Sequence, residues 1–222
     1  MKESFAFKNL FVSAVVLSCS LGFTSCSDDD EIQFVPPITP QVMYGGFDGK
    51  MITISANPLK TENGDQDDSP VGIDISAKVD NDTVYFDKFP IKDIVFSIIK
   101  DEEKTNQILE AIGDVKYKVG YEARLNAAKD SVRFTLDPKS LNLEFAIPEP
   151  APKEGEEVTP IKVEVKISAV EEFVNSYELS STNMKFKFRA DEVILGEGEK
   201  TIPVEFAPTV FDFDMKKAKG EK

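Results

Sequence analysis

From Val115 onward the chain alternates: Val115, Tyr117, Val119, Tyr121, Ala123 and Leu125 are separated by Lys116, Lys118, Gly120, Glu122 and Arg124. A period of two places one set of side chains in a core and the other in water, which predicts a half-buried β-strand. The same rhythm runs through Val132/Phe134/Leu136, Leu141/Leu143/Phe145/Ile147, Ile161/Val163/Val165/Ile167/Ala169, Met184/Phe186/Phe188 and Phe211/Phe213/Met215. Earlier, Ile52/Ile54 and Val71/Ile73/Ile75/Ala77/Val79 follow it too. Parallel strands covered on both faces would read as continuous apolar runs, so one-sided strands imply antiparallel pairing around a shared core. The pattern predicts a mainly β fold, an antiparallel β-sandwich or flattened barrel of about ten strands.

One segment breaks the rhythm. After Phe89-Pro90, the positions Ile91, Ile94, Val95, Ile98 and Ile99 recur at helical spacing. Glu102 and Glu103 interrupt the stripe, and Ile108, Leu109 and Ile112 resume it before Gly113, a natural stop. This predicts one bent helix or two short ones over 91–112, with the apolar stripe packed on the core and closing one end of the sheet structure.

Turn-rich stretches punctuate the strands. Residues 61–70 are polar, and 148–160 hold Pro148, Pro150, Pro152 and Pro160 among glutamates, which predicts an exposed, extended loop. That loop reads as a long hairpin connection rather than a domain boundary, because Leu141–Ile147 and Ile161–Ala169 look like strand partners. The expected organisation is a leader over 1–25, a disordered acidic and proline-containing tether over 26–40, one β-rich domain over 41–216 and a solvated tail over 217–222.

The leader has three zones. Lys2 and Lys8 supply a positive start, and Leu10–Phe23 forms an apolar run of roughly fourteen residues, within the range of a signal-peptide core. A spanning helix needs about twenty apolar residues, so the run is too short to remain as an anchor. Thr24 and Ser25 then precede Cys26. This arrangement resembles the lipobox of bacterial lipoproteins, in which the cysteine thiol receives a diacylglyceryl group and becomes the new N-terminus. The family's usual Leu three positions before the cysteine is replaced here by Phe23. Ser27, Asp28, Asp29, Asp30 and Glu31 form a run that cannot be buried and so reads as a solvated spacer. It also resembles the acidic export signal of Bacteroidetes surface lipoproteins. That resemblance implies an outer-membrane protein facing the cell exterior, held by acyl chains that each gain about 0.8 kcal/mol per buried methylene.

Charge and composition then exclude several classes. The chain of 222 residues has 26 basic and 40 acidic side chains, a net charge of −14. Removing a leader with Lys2, Lys8 and Glu3 shifts that to −15 and leaves about 197 residues, enough to hide roughly 70% of the chain's surface. Such a surface argues against nucleic acid, which needs basic stripes, and against direct docking on anionic lipid. With only Cys26 left after the leader, no disulfide forms within the chain.

No His is present, which removes Ser-His-Asp, Cys-His and His-based zinc designs. No metal and no cofactor are expected. Gly45-Gly46-Phe47-Asp48-Gly49-Lys50 departs from a phosphate loop at Tyr44 and Met51, and reads as a glycine-rich turn feeding a strand at 51–55. Asp65, Asp67 and Asp68 lack the ligand order of a calcium loop and read as a solvated acidic loop. A carboxylate pair suffices for glycoside hydrolysis, but among so many acids no pair can be singled out.

Glycan-binding faces favour Trp, which is absent, so Tyr44, Tyr85, Tyr117, Tyr121 and Tyr177 are the available aromatic platforms. Tyr117 and Tyr121 fall on the inner face, where core packing with a locally bonded hydroxyl is the simpler role. Outward Lys185, Lys187 and Arg189 form a basic stripe, best explained by cross-strand pairing with Asp212 and Asp214. Asp82-Thr83-Val84 and Asp130-Ser131-Val132 resemble Bacteroidetes O-glycosylation acceptors, marking Thr83 and Ser131.

Through the Cys26 leader, Tyr44–Lys50 and Lys88-Phe89-Pro90-Ile91, the mature chain resembles uncharacterised lipoprotein domains of gut Bacteroidetes, some of them lipocalin-like. The resemblance implies an address and no activity. The functional expectation is a lipid-anchored, cell-surface binding or interaction protein without catalysis, for a glycan or protein ligand. Alternatives are a structural accessory of an outer-membrane or fimbrial assembly and, third, a carboxylate-based glycan hydrolase.

Overall fold

The computed structural model describes residues 37–55, 72–146, 160–196 and 201–219. The chain divides at Pro36/Pro37, and all of these residues belong to the second unit. Cys26, the run 27–31, the loop 61–70 with Asp65, Asp67 and Asp68, and residues 148–159 lie outside them.

Eleven strands are present among the described residues: β1 (Gly45–Ser55), β2 (Ile73–Asp80), β3 (Thr83–Phe86), β4 (Tyr117–Leu125), β5 (Ser131–Pro138), β6 (Leu141–Phe145), β7 (Ile161–Ala169), β8 (Asn175–Glu178), β9 (Asn183–Leu195), β10 (Ile202–Pro203) and β11 (Thr209–Lys217). All their pairings are antiparallel. The order β11-β1-β2-β3-β4-β5-β8-β9 returns to β11, so eight strands close a barrel. The choice between sandwich and barrel falls to the barrel. The thirteen-residue β9 does two jobs. Its first part pairs β11 and seals the ring, while its far part carries β7, and through it β6, with β10 on the other side. A register shift opposite Lys166/Ile167 leaves Asp191 outside the ladder, at the point where β9 leaves the ring.

The interior is filled. Phe86, Phe186, Phe188, Phe211 and Phe213 are at most 1% exposed and touch one another, with centroids 4.4 Å apart for Phe186–Phe213 and 5.3 Å for Phe86–Phe213. Phe47, Met51, Met184 and Met215 fill the remainder. Buried apolar area, at about 25 cal/mol per Å², is the main stabilising term of such an interior.

Both ends of the ring are covered. At one, the 3₁₀ turn Pro40–Met43 places fully buried Met43, and Lys217 Nζ donates to the Val42 carbonyl at 2.6 Å. At the other lie α1 (Lys92–Ile99) and α2 (Glu102–Ile112), the two short helices that the stripe predicts. Phe89, leading into them, packs on Tyr117 and Phe211. Asp101 caps α2, its Oδ1 accepting from the Lys104 N–H at 2.9 Å, and Glu102 and Glu103 sit in the first turn where the helix dipole favours them. Gly113, at φ 71°, ends the helix.

Two expectations are corrected. The glycine-rich stretch is not a turn: β1 starts at Gly45 and runs through it. A Cβ on Gly49 would lie 2.2 Å from the Asp214 carbonyl oxygen, so glycine is what lets β1 approach β11 so closely. The phase of β1 is also reversed: Phe47 and Met51 point in, and Ile54 is 49% exposed.

Candidate functional site

The five tyrosines separate into inner and outer sets. Tyr117, Tyr121 and Tyr177 are buried in the core. Tyr117 Oη donates to the Lys139 carbonyl at 2.7 Å, the locally bonded arrangement expected of it. Tyr121 Oη is buried without a partner. Burial pushes all three hydroxyls above the ordinary tyrosine value, and for Tyr121 the charges of Asp82 and Asp80 and the neighbouring Tyr44 add to it. With the ring packed by phenylalanine, these residues are core elements and offer no inner face to a ligand.

Tyr44 caps one end of the ring, its hydroxyl donating to Asp82 Oδ1 at 3.1 Å. Asp82 is placed by a two-residue turn between β2 and β3 in which Asn81 and Asp82 both have positive φ (46° and 52°), the geometry of a type I′ hairpin. Thr83 follows, half-buried, its Oγ1 donating to the Asn81 carbonyl. Ser131 is 6% exposed at the start of β5, its backbone N–H donating to Asn126 Oδ1.

The outer wall carries the concavities. The larger, about 750 Å³, lies over β1, β2 and β3. Its floor is a set of register partners: Ser76 donates to Asp48 at 2.6 Å, Lys50 pairs Asp74 at 2.6 Å, and Lys78 stands opposite Tyr85. Every lysine lining it is matched, Lys78 with Asp80 at 3.4 Å and Lys88 with Asp114 at 3.0 Å. Tyr85, 37% exposed, is its aromatic surface. The lysines of the groove are therefore neutralised by neighbouring acids, Ile75, Ala77 and Tyr85 add apolar surface, and its size holds a small ligand. The Asp74 and Asp87 side chains are each 87% exposed, and Asp48 is held by Ser76. Neither exposed acid has the apolar enclosure that a general-acid carboxyl requires.

A second groove, about 390 Å³, lies where β4 and β5 meet the β7–β8 connection and includes Arg124, Arg133, Phe173 and Val174. The alternation reading assigned these arginines to the solvent face. It had no means of seeing that the register sets Arg124 directly opposite Arg133.

The basic stripe is neutralised as expected. Lys185 pairs Asp214 at 2.9 Å, Lys187 pairs Asp212 at 2.7 Å, and Arg189 pairs Asp191 rather than a cross-strand acid. Burial pushes the Asp214 carboxyl up, but hydrogen bonds from Lys185 and Asn183 outweigh it and hold the group below its ordinary value. Among the described residues, no cluster of acids is arranged to hold a metal ion, and no helix is long and apolar enough to cross a membrane.

The fold thus defines an eight-stranded antiparallel barrel with a solid interior and grooves on its outer wall. Within that class, the chain belongs to the family DUF4840, a domain of unknown function, matched over residues 42–195. The matched span ends with β9, whereas the ring needs β11 to close. No curated protein and no solved structure matches the chain.

Proposed function

We propose that this chain is a lipid-anchored binding module on the outer surface of a Bacteroidetes cell, without catalysis, and that it takes its ligand on the outer wall of the barrel. Acyl chains on Cys26 tie it to the outer membrane, and the run Ser27–Glu31 carries it to the exterior face. The observation that supports a binding role on the wall is the contrast between a filled interior and the roomy groove over β1–β3. Paired charges around one exposed tyrosine suit a neutral, polyhydroxylated ligand, a glycan, better than an ion. If the chain is also O-glycosylated, Thr83 is the more accessible of the two acceptors.

Two measurements test the reading separately. Mass analysis of the native protein should find a diacylated or triacylated Cys26 at the N-terminus, and protease added to whole cells should remove the domain. An unmodified thiol or a protected domain defeats the anchoring claim. A neutral glycan array probed with the protein and with Tyr85→Ala should show binding that the substitution abolishes; binding unaffected by Tyr85→Ala removes the groove.

A second reading has its own support. β6 lies at the end of the strand order, paired only with β7 among the described residues. An open edge accepts an extended strand from another protein, as a structural accessory of an assembly requires. Crosslinking in whole cells from Asn142 distinguishes the two, since only the accessory reading predicts a protein adduct there.

A further inference from the structure

Arg124 and Arg133 face each other directly across β4 and β5, both exposed and both lining the smaller groove. Cβ atoms of direct cross-strand partners lie about 5 Å apart, and like charges at that distance are destabilising. Among the described residues neither guanidinium forms an ion pair or a side-chain hydrogen bond. Most cations on the wall are matched. Lys50, Lys166, Lys185 and Lys187 all meet a carboxylate, on a chain where acids outnumber bases 40 to 26. Lys118 and Lys216 also lack a paired carboxylate, but each stands opposite a residue that is not basic, whereas Arg124 and Arg133 are two unpaired cations set directly against each other.

The other side of the groove is apolar. Val170, Phe173 and Val174 come from the β7–β8 connection, and Val174 is 59% exposed. Lys187 Nζ sits 4.6 Å from the centre of the Phe173 ring, which holds that ring in place at the groove wall. The lining has a single carboxylate, Glu171, against two guanidinium groups; Glu122 and Glu178, at neighbouring outward positions, do not line it.

We infer that this groove is an anion site for a small organic molecule, one with a carboxylate or sulfate head and an apolar body. Two planar forks at cross-strand distance can converge on one such head, each offering two parallel N–H donors. The body then lies on Phe173 and Val174. Binding removes the repulsion between the arginines, so the site is poised to gain more from an anion than isolated surface cations would. A volume of about 390 Å³ fits a small molecule better than a macromolecular strand. The inference rests on the reading of the chain as a binding module, but not on its anchor or on the larger groove.

Calorimetric titration of the purified full chain tests it, with phenyl sulfate and phenylacetate as probes and inorganic sulfate and phenol as single-feature controls. Either aromatic anion should bind; sulfate alone should bind more weakly and phenol not at all. Arg124→Gln and Arg133→Gln should each weaken binding by about tenfold or more, the worth of a charge-assisted hydrogen bond. In the absence of probe both variants should melt no lower than the parent, because one of two opposed like charges has gone. Tyr85→Ala should bind these anions unchanged, which separates this site from the groove over β1–β3. The proposal is overturned if neither anion binds, if the glutamine variants bind as well as the parent, or if they unfold at markedly lower temperature, since the arginines would then serve the fold.

Discussion

Phe186 of β9 and Phe213 of β11 stack with their centroids 4.4 Å apart and their planes inclined by only 6°, as direct register partners across the seam that closes the ring. Both are fully buried, and each also touches Phe86 or Phe188. Truncating either leaves a void lined by aromatic rings that cannot collapse far. Phe213→Ala should cost about 3–5 kcal/mol, read as a lower urea midpoint with an unchanged slope. A loss below about 1 kcal/mol would show that the seam is loosely packed.

Gly49 and Gly46 give a matched pair of substitutions in one strand. A Cβ at Gly49 would meet the backbone of Asp214 and Met215 at 2.2 and 2.5 Å, whereas at Gly46 the nearest atom is Ala218 Cβ at 3.7 Å. Neither glycine has a positive φ, so the contrast is one of space alone. Gly49→Ala should cost about 3 kcal/mol or more, since backbone cannot rotate aside as a side chain can. Gly46→Ala should melt within a few degrees of the parent. Equal melting temperatures for the two would refute the close approach of β1 to β11.

Much of this fold was legible because its inward positions are aromatic or β-branched at strict spacing. Tyr117–Leu125 and Met184–Phe188 needed no tertiary information. The helices were equally plain, since Ile91 to Ile112 falls into the wrong period for a strand. What escaped had weak local signal. β3 and β8 have four residues each, too few for a period to declare itself, and β8 contains Asn175 and Ser176. In β1 the glycines disguised the strand, and isoleucine, the more typical β residue, drew the phase away from methionine. Arg124 and Arg133 lie nine positions apart on faces correctly read as exposed. Their meeting depends on register, which the turn at 126–130 sets and alternation does not report.

Tyr117 and Tyr121 have similar burial but different bonding, and substitution by Phe should separate them. Tyr117→Phe leaves the Lys139 carbonyl without its 2.7 Å donor and should cost about 1 kcal/mol. Tyr121→Phe removes a hydroxyl that has no protein partner, and should be neutral or stabilising. Chemical denaturation of the two variants side by side checks the order; the reverse order would place a bound group on Tyr121.

Alkaline pH acts on the same residues. Tyr117, Tyr121 and Tyr177 have hydroxyls raised above the ordinary value of 10.0 in the folded chain, chiefly by burial. Above that value the unfolded chain releases protons that the folded chain retains, so unfolding becomes progressively favoured. Their contribution should be fully present below pH 10 and fall away above it. In an absorbance titration, tyrosinate from these three should appear together with loss of the β signal. Smooth titration with the fold intact would show that their hydroxyls reach water.

The position of β11 has a consequence for how the molecule comes into being. The strand that lies between β1 and β9 is the last of the ring in chain order, and it joins Phe47 to Lys217 and Ser55 to Thr209. A nascent chain leaving the ribosome therefore holds every other stave of the ring while two bare edges wait for the final one. Such long-range closure is slow. A polypeptide whose ring stays open until its last stave is released remains threadable for that interval, and is exposed to edge-to-edge aggregation for just as long.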